Sequence, residues 1–176
     1  MLYMFFAPGF EETEAVSTLD ILRRAEIEVE SVSIGGKTII GSHGIPVVCD
    51  IEDSQLSLSD TQGIVLPGGM PGTLNLEKSE VVRTAIDYCD QRGLLICAIC
   101  AAPSILGRMG LLAGKRFTCF PGFEKLLEGE YTGARVERDG QLITAKGPGC
   151  SIPFALEIIR VIVGESTAQK VEVNLQ

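Results

Sequence analysis

Cys100 is the residue of this chain best placed to act as a nucleophile. It follows the apolar run Leu94-Leu95-Ile96-Cys97-Ala98-Ile99 and precedes Ala101-Ala102-Pro103, the pattern of a strand that turns directly into a helix. A side chain at such a turn projects from the carboxyl edge of a sheet, and small neighbours let a substrate approach it. A helix N-terminus at that point favours the thiolate and predicts a lowered thiol pKa. Cys97, three residues earlier in the strand, reads as a buried packing residue. The spacing Cys97-Ala98-Ile99-Cys100 also spells CxxC. A structural zinc site needs a second ligand pair, none follows at a suitable spacing, and no metal is expected.

Two further junctions carry groups that a cysteine nucleophile needs. Val65-Leu66-Pro67-Gly68-Gly69 places glycines after a buried run, where unobstructed backbone N–H groups suit an oxyanion hole. Beside the turn at Cys100, the N–H groups of Gly69 and Ala101 would together hold a developing oxyanion, with Gly68 forming the turn. In Ala7-Pro8-Gly9-Phe10-Glu11-Glu12-Thr13-Glu14, acidic residues open a helix, which the helix dipole favours; capping and solvation account for Glu12. Glu11 and Glu14 are three apart and share a helical face, so both can look toward Cys100. A carboxyl close to a thiolate has its pKa raised, because two negative charges in one site repel. The pair would then share one proton, with Glu14 as general acid/base. The chain has one histidine, His43, which excludes an HExxH zinc site. Any Cys-His or Ser-His-Asp triad within one chain would have to be built on that residue.

The elements that must position these groups alternate in type. Leu2–Ala7, Glu28–Ile34, Thr38–Ile40, Pro46–Cys49, Gly63–Leu66 and Leu94–Ile99 read as strands. Glu11–Ala25, Glu80–Arg92, Ala101–Met109 and Phe154–Val163 carry apolar residues at helical spacing, with Gly93, Gly110 and Gly164 as stops. Val136–Thr144 contains Asp139-Gly140, a hairpin signal. Strands that are apolar without interruption, alternating with helices, predict an α/β sandwich whose mainly parallel sheet is covered on both faces. Its ligand site should lie where strands end and helices begin.

Composition narrows the classes of partner. The 176 residues are 45% hydrophobic, with no Trp, and suit one domain spanning 1–176. Fifteen basic against 23 acidic side chains leave a net charge of −8, which argues against nucleic-acid and anionic-membrane binding. The apolar opening Met1–Phe6 is stopped by Pro8-Gly9 and reads as neither a signal peptide nor a spanning segment. The six cysteines are then expected as thiols in the cytoplasm.

Taken in order, APGFEETEAV, VLPGGMPG, AICAAPSIL and the late AKGPG resemble the DJ-one (parkinsonism-associated deglycase) branch of the ThiJ/PfpI superfamily, over nearly the whole chain. The resemblance implies a flavodoxin-like three-layer sandwich, a homodimer, and a nucleophilic, oxidisable cysteine at Cys100. It also implies a partner carboxyl at Glu14, oxyanion-type N–H groups at Gly69 and Ala101, and no cofactor. Some relatives carry a histidine near the cysteine in a segment that corresponds to Phe117–Pro121, and Phe120 stands there instead. Proton transfer is therefore expected of the Cys100–Glu14 pair. His43 matches a turn that faces the dimer partner, so His43 and Arg24 are candidates to reach the partner's pocket. Cys119 and Cys150 border the pocket and read as packing residues. The activity implied is that of a glyoxalase or deglycase acting on small dicarbonyls such as methylglyoxal and glyoxal, or on their early adducts with protein or nucleotide amines. The alternative is a redox-responsive protein or chaperone in which Cys100 is oxidised to a sulfinate.

Overall fold

The computed structural model describes residues 1–175. At its centre is a seven-stranded sheet in the order β10-β11-β7-β6-β1-β2-β5. Its strands are β1 (Leu2–Phe6), β2 (Val29–Ser33), β5 (Ile51–Glu52), β6 (Gly63–Leu66), β7 (Leu95–Ile99), β10 (Val136–Asp139) and β11 (Leu142–Ala145). All neighbours are parallel except β10 and β11, which form an antiparallel hairpin at one edge. Two small sheets stand apart from it, β3 (Thr38–Ile40) with β4 (Pro46–Val48), and β8 (Arg116–Phe117) with β9 (Glu130–Tyr131).

Both faces of the central sheet are covered, which is why its inner strands read as continuous apolar runs. In β1 the alternation of side chains sends Leu2, Met4 and Phe6 into one core and Tyr3 and Phe5 into the other. The first core is closed by α1 (Glu12–Arg24), α5 (Ser151–Val163) and α6 (Glu165–Val173). The second is closed by α2 (Gly72–Lys78), α3 (Glu80–Arg92) and α4 (Pro103–Arg108). The result is the three-layer α/β sandwich expected from the sequence. Cys97 packs in the first core with no exposure, as its position inside a strand predicts.

Several boundaries differ from the sequence reading, each for a local reason. α2 was hidden because a run opening with Pro71-Gly72 looks like a continuing turn. α6 follows α5 after the single residue Gly164, so its weak amphipathic pattern merges with the preceding helix. β5, β8 and β9 have two residues each, too short to show any period. α4 spans only Pro103–Arg108 instead of starting at Ala101. Proline at its first position fixes the helical start there, leaving Ala101 and Ala102 in the turn.

Candidate active site

β1 lies between β2 and β6, so the chain reverses direction across the sheet at that point, and loops leaving β1 and β6 part to opposite sides. The loops after β1, β6 and β7 meet at this switch point and are tied by backbone hydrogen bonds. Glu11 N–H donates to Gly68 O at 3.0 Å, Gly72 N–H to Gly9 O at 3.0 Å, and Cys100 N–H to Ala145 O at 2.9 Å. The β3–β4 turn is fastened to the same loops, with Gly9 N–H donating to Ile40 O and Ser42 N–H to Phe10 O, each at 2.8 Å. A cleft of about 420 Å³ opens there, lined among others by Glu11, His43, Gly69, Cys100, Ala101 and Phe120.

Cys100 occupies the floor of this cleft with φ of +64°. A left-handed backbone is rare for a residue with a Cβ and persists only where the surroundings hold it. Here the hold is visible. The Cys100 N–H is committed to β11, and its carbonyl accepts from Phe120 N–H at 2.8 Å. The backbone N–H groups of Gly69 and Ala101 point at the sulfur and favour its anionic form.

Glu14 reaches the sulfur from the first turn of α1 and is completely buried. Glu11, at the N-cap, fixes this turn by accepting from the Glu14 N–H at 2.7 Å. Glu14 Oε2 accepts from Gly68 N–H at 2.8 Å, whereas Oε1 has no hydrogen-bond partner. The thiol and the carboxyl face one another closely enough to shift each other's titration, without the alignment of a settled hydrogen bond. Burial pushes the Glu14 carboxyl up to about 7, against the opposing pull of Cys100 and Gly68 N–H. Gly68 lies directly over both groups: a Cβ there would stand 2.7 Å from Cys100 Cβ and 2.8 Å from Glu14 Oε2. Only glycine fits between them.

The Cys100 thiol does not have the lowered pKa predicted from the sequence. Burial raises it, and the Glu14 carboxylate raises it further by repelling the thiolate and by attracting the S–H of the thiol. The predicted cause is also missing, since the six-residue α4 begins three residues beyond Cys100. Burial raises both groups, and the carboxylate raises the thiol further while the thiol pulls the carboxyl down, so one proton is held between them and a thiolate forms when that proton resides on Glu14.

His43 belongs to the cleft of its own chain. Its Nδ1 lies 2.9 Å from Glu12 Oε2, and its backbone N–H donates to Glu12 Oε1 at 2.7 Å. Ser42 Oγ donates to Glu12 Oε2 at 3.2 Å. Four donors of the β3–β4 turn, counting Ile45 N–H at 3.4 Å, thus converge on one buried carboxylate; against the cost of burial, the His43 ring and the backbone N–H groups of His43, Glu12 and Ile45 hold its pKa down at about 2. Capping of the helix dipole, the sequence reading of Glu12, misses this fastening role. A glutamate followed 31 residues later by a turn histidine gives no local signal. Arg24 is not part of the cleft. It lies at the far end of α1, about 18 Å along the helix from Glu12, paired with Asp20 at 2.7 Å. Phe120 covers the cleft's side with its ring 44% exposed. Cys119 is fully buried beside it and Cys150 nearly so. The carboxylates of Glu11 and Glu12 and the His43 ring bring ligand atoms within 4.8 Å of one another. Donors from the chain itself already satisfy the Glu12 oxygens.

Residues 2–161 match the model of the DJ-1/PfpI family. The zebrafish Parkinson disease protein 7 homolog is 36% identical over 180 residues, covering 98% of this chain and 94% of its own. A Caenorhabditis elegans protein described as glutathione-independent glyoxalase DJR-1.2 is 31% identical over 157 residues, covering 88% of this chain and 83% of its own. Among solved structures, oxidised DJ-1 of Toxoplasma gondii superposes with a TM-score of 0.93 at 33% identity, covering 99% of this chain and 96% of that one.

Proposed function

Because this chain belongs to the DJ-1/PfpI family, we propose that it is a cysteine-dependent glyoxalase or deglycase acting on small dicarbonyls or on their early adducts with amines. The observation that carries this reading is a strained Cys100 whose sulfur faces two backbone N–H groups and the unpartnered oxygen of a buried carboxyl titrating near neutrality. Cys100 sulfur adds to the aldehyde carbon of methylglyoxal as the shared proton passes from Glu14 to the carbonyl oxygen. The N–H groups of Gly69 and Ala101 hold the charge that develops on that oxygen. Glu14 then takes the proton from the former aldehyde carbon as the ketone oxygen is protonated, giving an enediol, and returns a proton to the neighbouring carbon as the hydroxyl on the former aldehyde carbon gives up its own, leaving a lactoyl thioester. Water cleaves the thioester to lactate. The name of the worm relative supports the glyoxalase form; in the deglycase form the same sulfur attacks an early glycation adduct.

The reading includes a homodimer in the cytoplasm. In the β3–β4 hairpin, Ile39 faces inward and is buried, while on the outer face Ile40 is 57% and Val48 67% exposed. Apolar side chains where a solvated hairpin would be polar suit burial against a second copy. The cysteines among the described residues are free thiols, in keeping with a reducing compartment. No helix among the described residues is long and apolar enough to cross a membrane.

Reduced protein incubated with methylglyoxal is expected to yield lactate, with turnover lost in Cys100→Ser. Absence of turnover in the reduced wild type would overturn the enzymatic reading. The second reading, redox response, is favoured by the same N–H groups, which would hold a sulfinate equally well, and a structural relative is described as oxidised. Two equivalents of hydrogen peroxide convert the thiolate to sulfinate with release of two waters. Oxidation confined to Cys100, without dicarbonyl turnover, would select this reading.

A further inference from the structure

The Cys100–Glu14 pair lacks an evident partner for the hydrolytic half of the reaction. Glu14 is sealed from solvent, one of its oxygens is held by Gly68 N–H, and its proton is shared with the sulfur. Water reaches the cleft from the rim. There stands an imidazole with its side chain 71% exposed, its Nδ1 turned to a buried carboxylate. With Nδ1–H donated to Glu12, the neutral ring carries its lone pair on Nε2, which has no hydrogen-bond partner among the described residues and, on a ring this exposed, is open to solvent at the cleft's rim. A carboxylate that orients an imidazole in the cleft that also holds a cysteine supplies the parts of a Cys-His-Glu triad. This chain assembles it from a turn and a helix start, away from the segment containing Phe120.

We propose that His43, oriented by Glu12, is a second proton-transfer residue of the Cys100 cleft, and that it activates the water which releases an acyl group from the Cys100 sulfur. The step rests on the reading of Cys100 as a nucleophile that passes through a thioester. Nε2 takes a proton from water as the water oxygen bonds to the acyl carbon. The carbon–sulfur bond then breaks, its electron pair goes to sulfur, and the proton on His43 returns to the Cys100–Glu14 pair. The net change is thioester plus water to acid plus thiol. The groups that face the imidazole are the Glu12 carboxylate, the Ser42 hydroxyl at 3.1 Å and the neighbouring Glu11 carboxylate. Both carboxylates favour the protonated ring. Since the base is the neutral form, release should accelerate as pH rises through the histidine range.

p-Nitrophenyl acetate tests this step without any dicarbonyl. An initial burst of nitrophenol reports acylation of Cys100, and the steady rate that follows reports deacylation. His43→Ala and His43→Gln are expected to keep the burst, to lower the steady rate by about tenfold to a hundredfold, and to lose the rise with pH. Glu12→Gln should shift that rise to lower pH. The proposal is overturned if the steady rate and its pH dependence survive both His43 substitutions, if those substitutions abolish the burst as well, or if the wild type never acylates. Methylglyoxal turnover, measured separately, can fail while the burst assay succeeds, which tells failure of the dicarbonyl reading from failure of this one.

Discussion

The backbone of Cys100, with φ of +64°, is held by hydrogen bonds on either side, and the sulfur is presented to the cleft without freedom to retreat. Cys100→Ser keeps this geometry and removes the thiol; dicarbonyl turnover and peroxide sensitivity, followed by lactate assay and intact mass, should both vanish. Glu14 makes a prediction whose sign is fixed. Its carboxyl titrates near 7 when folded against a reference of 4.5, so the folded protein binds the extra proton between those values. Stability from this group is complete below about 4.5 and is lost as pH rises toward 7. Urea midpoints of the wild type should therefore fall relative to Glu14→Gln across that window, then run parallel above it. Equal slopes for the two proteins would mean that the carboxyl is already ionised. Glu14→Gln should also slow turnover strongly while leaving the thiol open to iodoacetamide. Gly68→Ala tests the contact between the two groups: the added methyl would meet both, and activity should collapse with little loss of α/β secondary structure by circular dichroism.

At the level of elements, α1 is the part that joins fold to chemistry. Its N-cap Glu11, its fastening residue Glu12 and its acid Glu14 all fall within one turn, and each serves a different partner. Glu11→Ala removes the acceptor for the Glu14 N–H and should cost about 1 kcal/mol, seen as a Tm lower by about 2–4 °C for a chain of this size. This helix was readable in the sequence because Ala15, Val16, Leu19, Leu22 and Ala25 recur as one apolar face behind opening acids, although Val16 turns to solvent in the structure. α3 was readable to the residue because Val82, Ala85, Ile86 and Cys89 recur at helical spacing and Gly93 ends it, and the structure adds Ser79 as the N-cap that accepts from Val82 N–H. α2 and α6 were not, since helices formed beside a turn or another helix owe their boundaries to the surface they pack on and less to their own pattern.

For the molecule as a whole, the proposed dimer face and the proposed base belong to one hairpin, because the β3–β4 turn that presents Ile45 to solvent also brings His43 to the cleft. Val48→Glu is expected to reduce the mass measured by light scattering from that of a dimer to that of a monomer. An unchanged mass would remove this face from the interface. The two cores on either side of the sheet are the main reserve of stability. Phe6→Ala, which empties a fully buried position in the first core, should cost about 3–5 kcal/mol, measurable by urea unfolding.

The layered α/β architecture is legible in the order of residues, since buried strands and amphipathic helices announce themselves through local periodicity. The same order singles out Cys100, Glu14, Gly68 and Gly69, since turns between strand and helix carry their own signature of small and glycine residues. The rise of the thiol's pKa and the pairing of Glu12 with His43 at the cleft's rim emerge only in the folded chain. Those facts depend on burial and on contacts between segments roughly 30 to 90 residues apart. Charge and solvation act through space, and no local pattern in the chain encodes them.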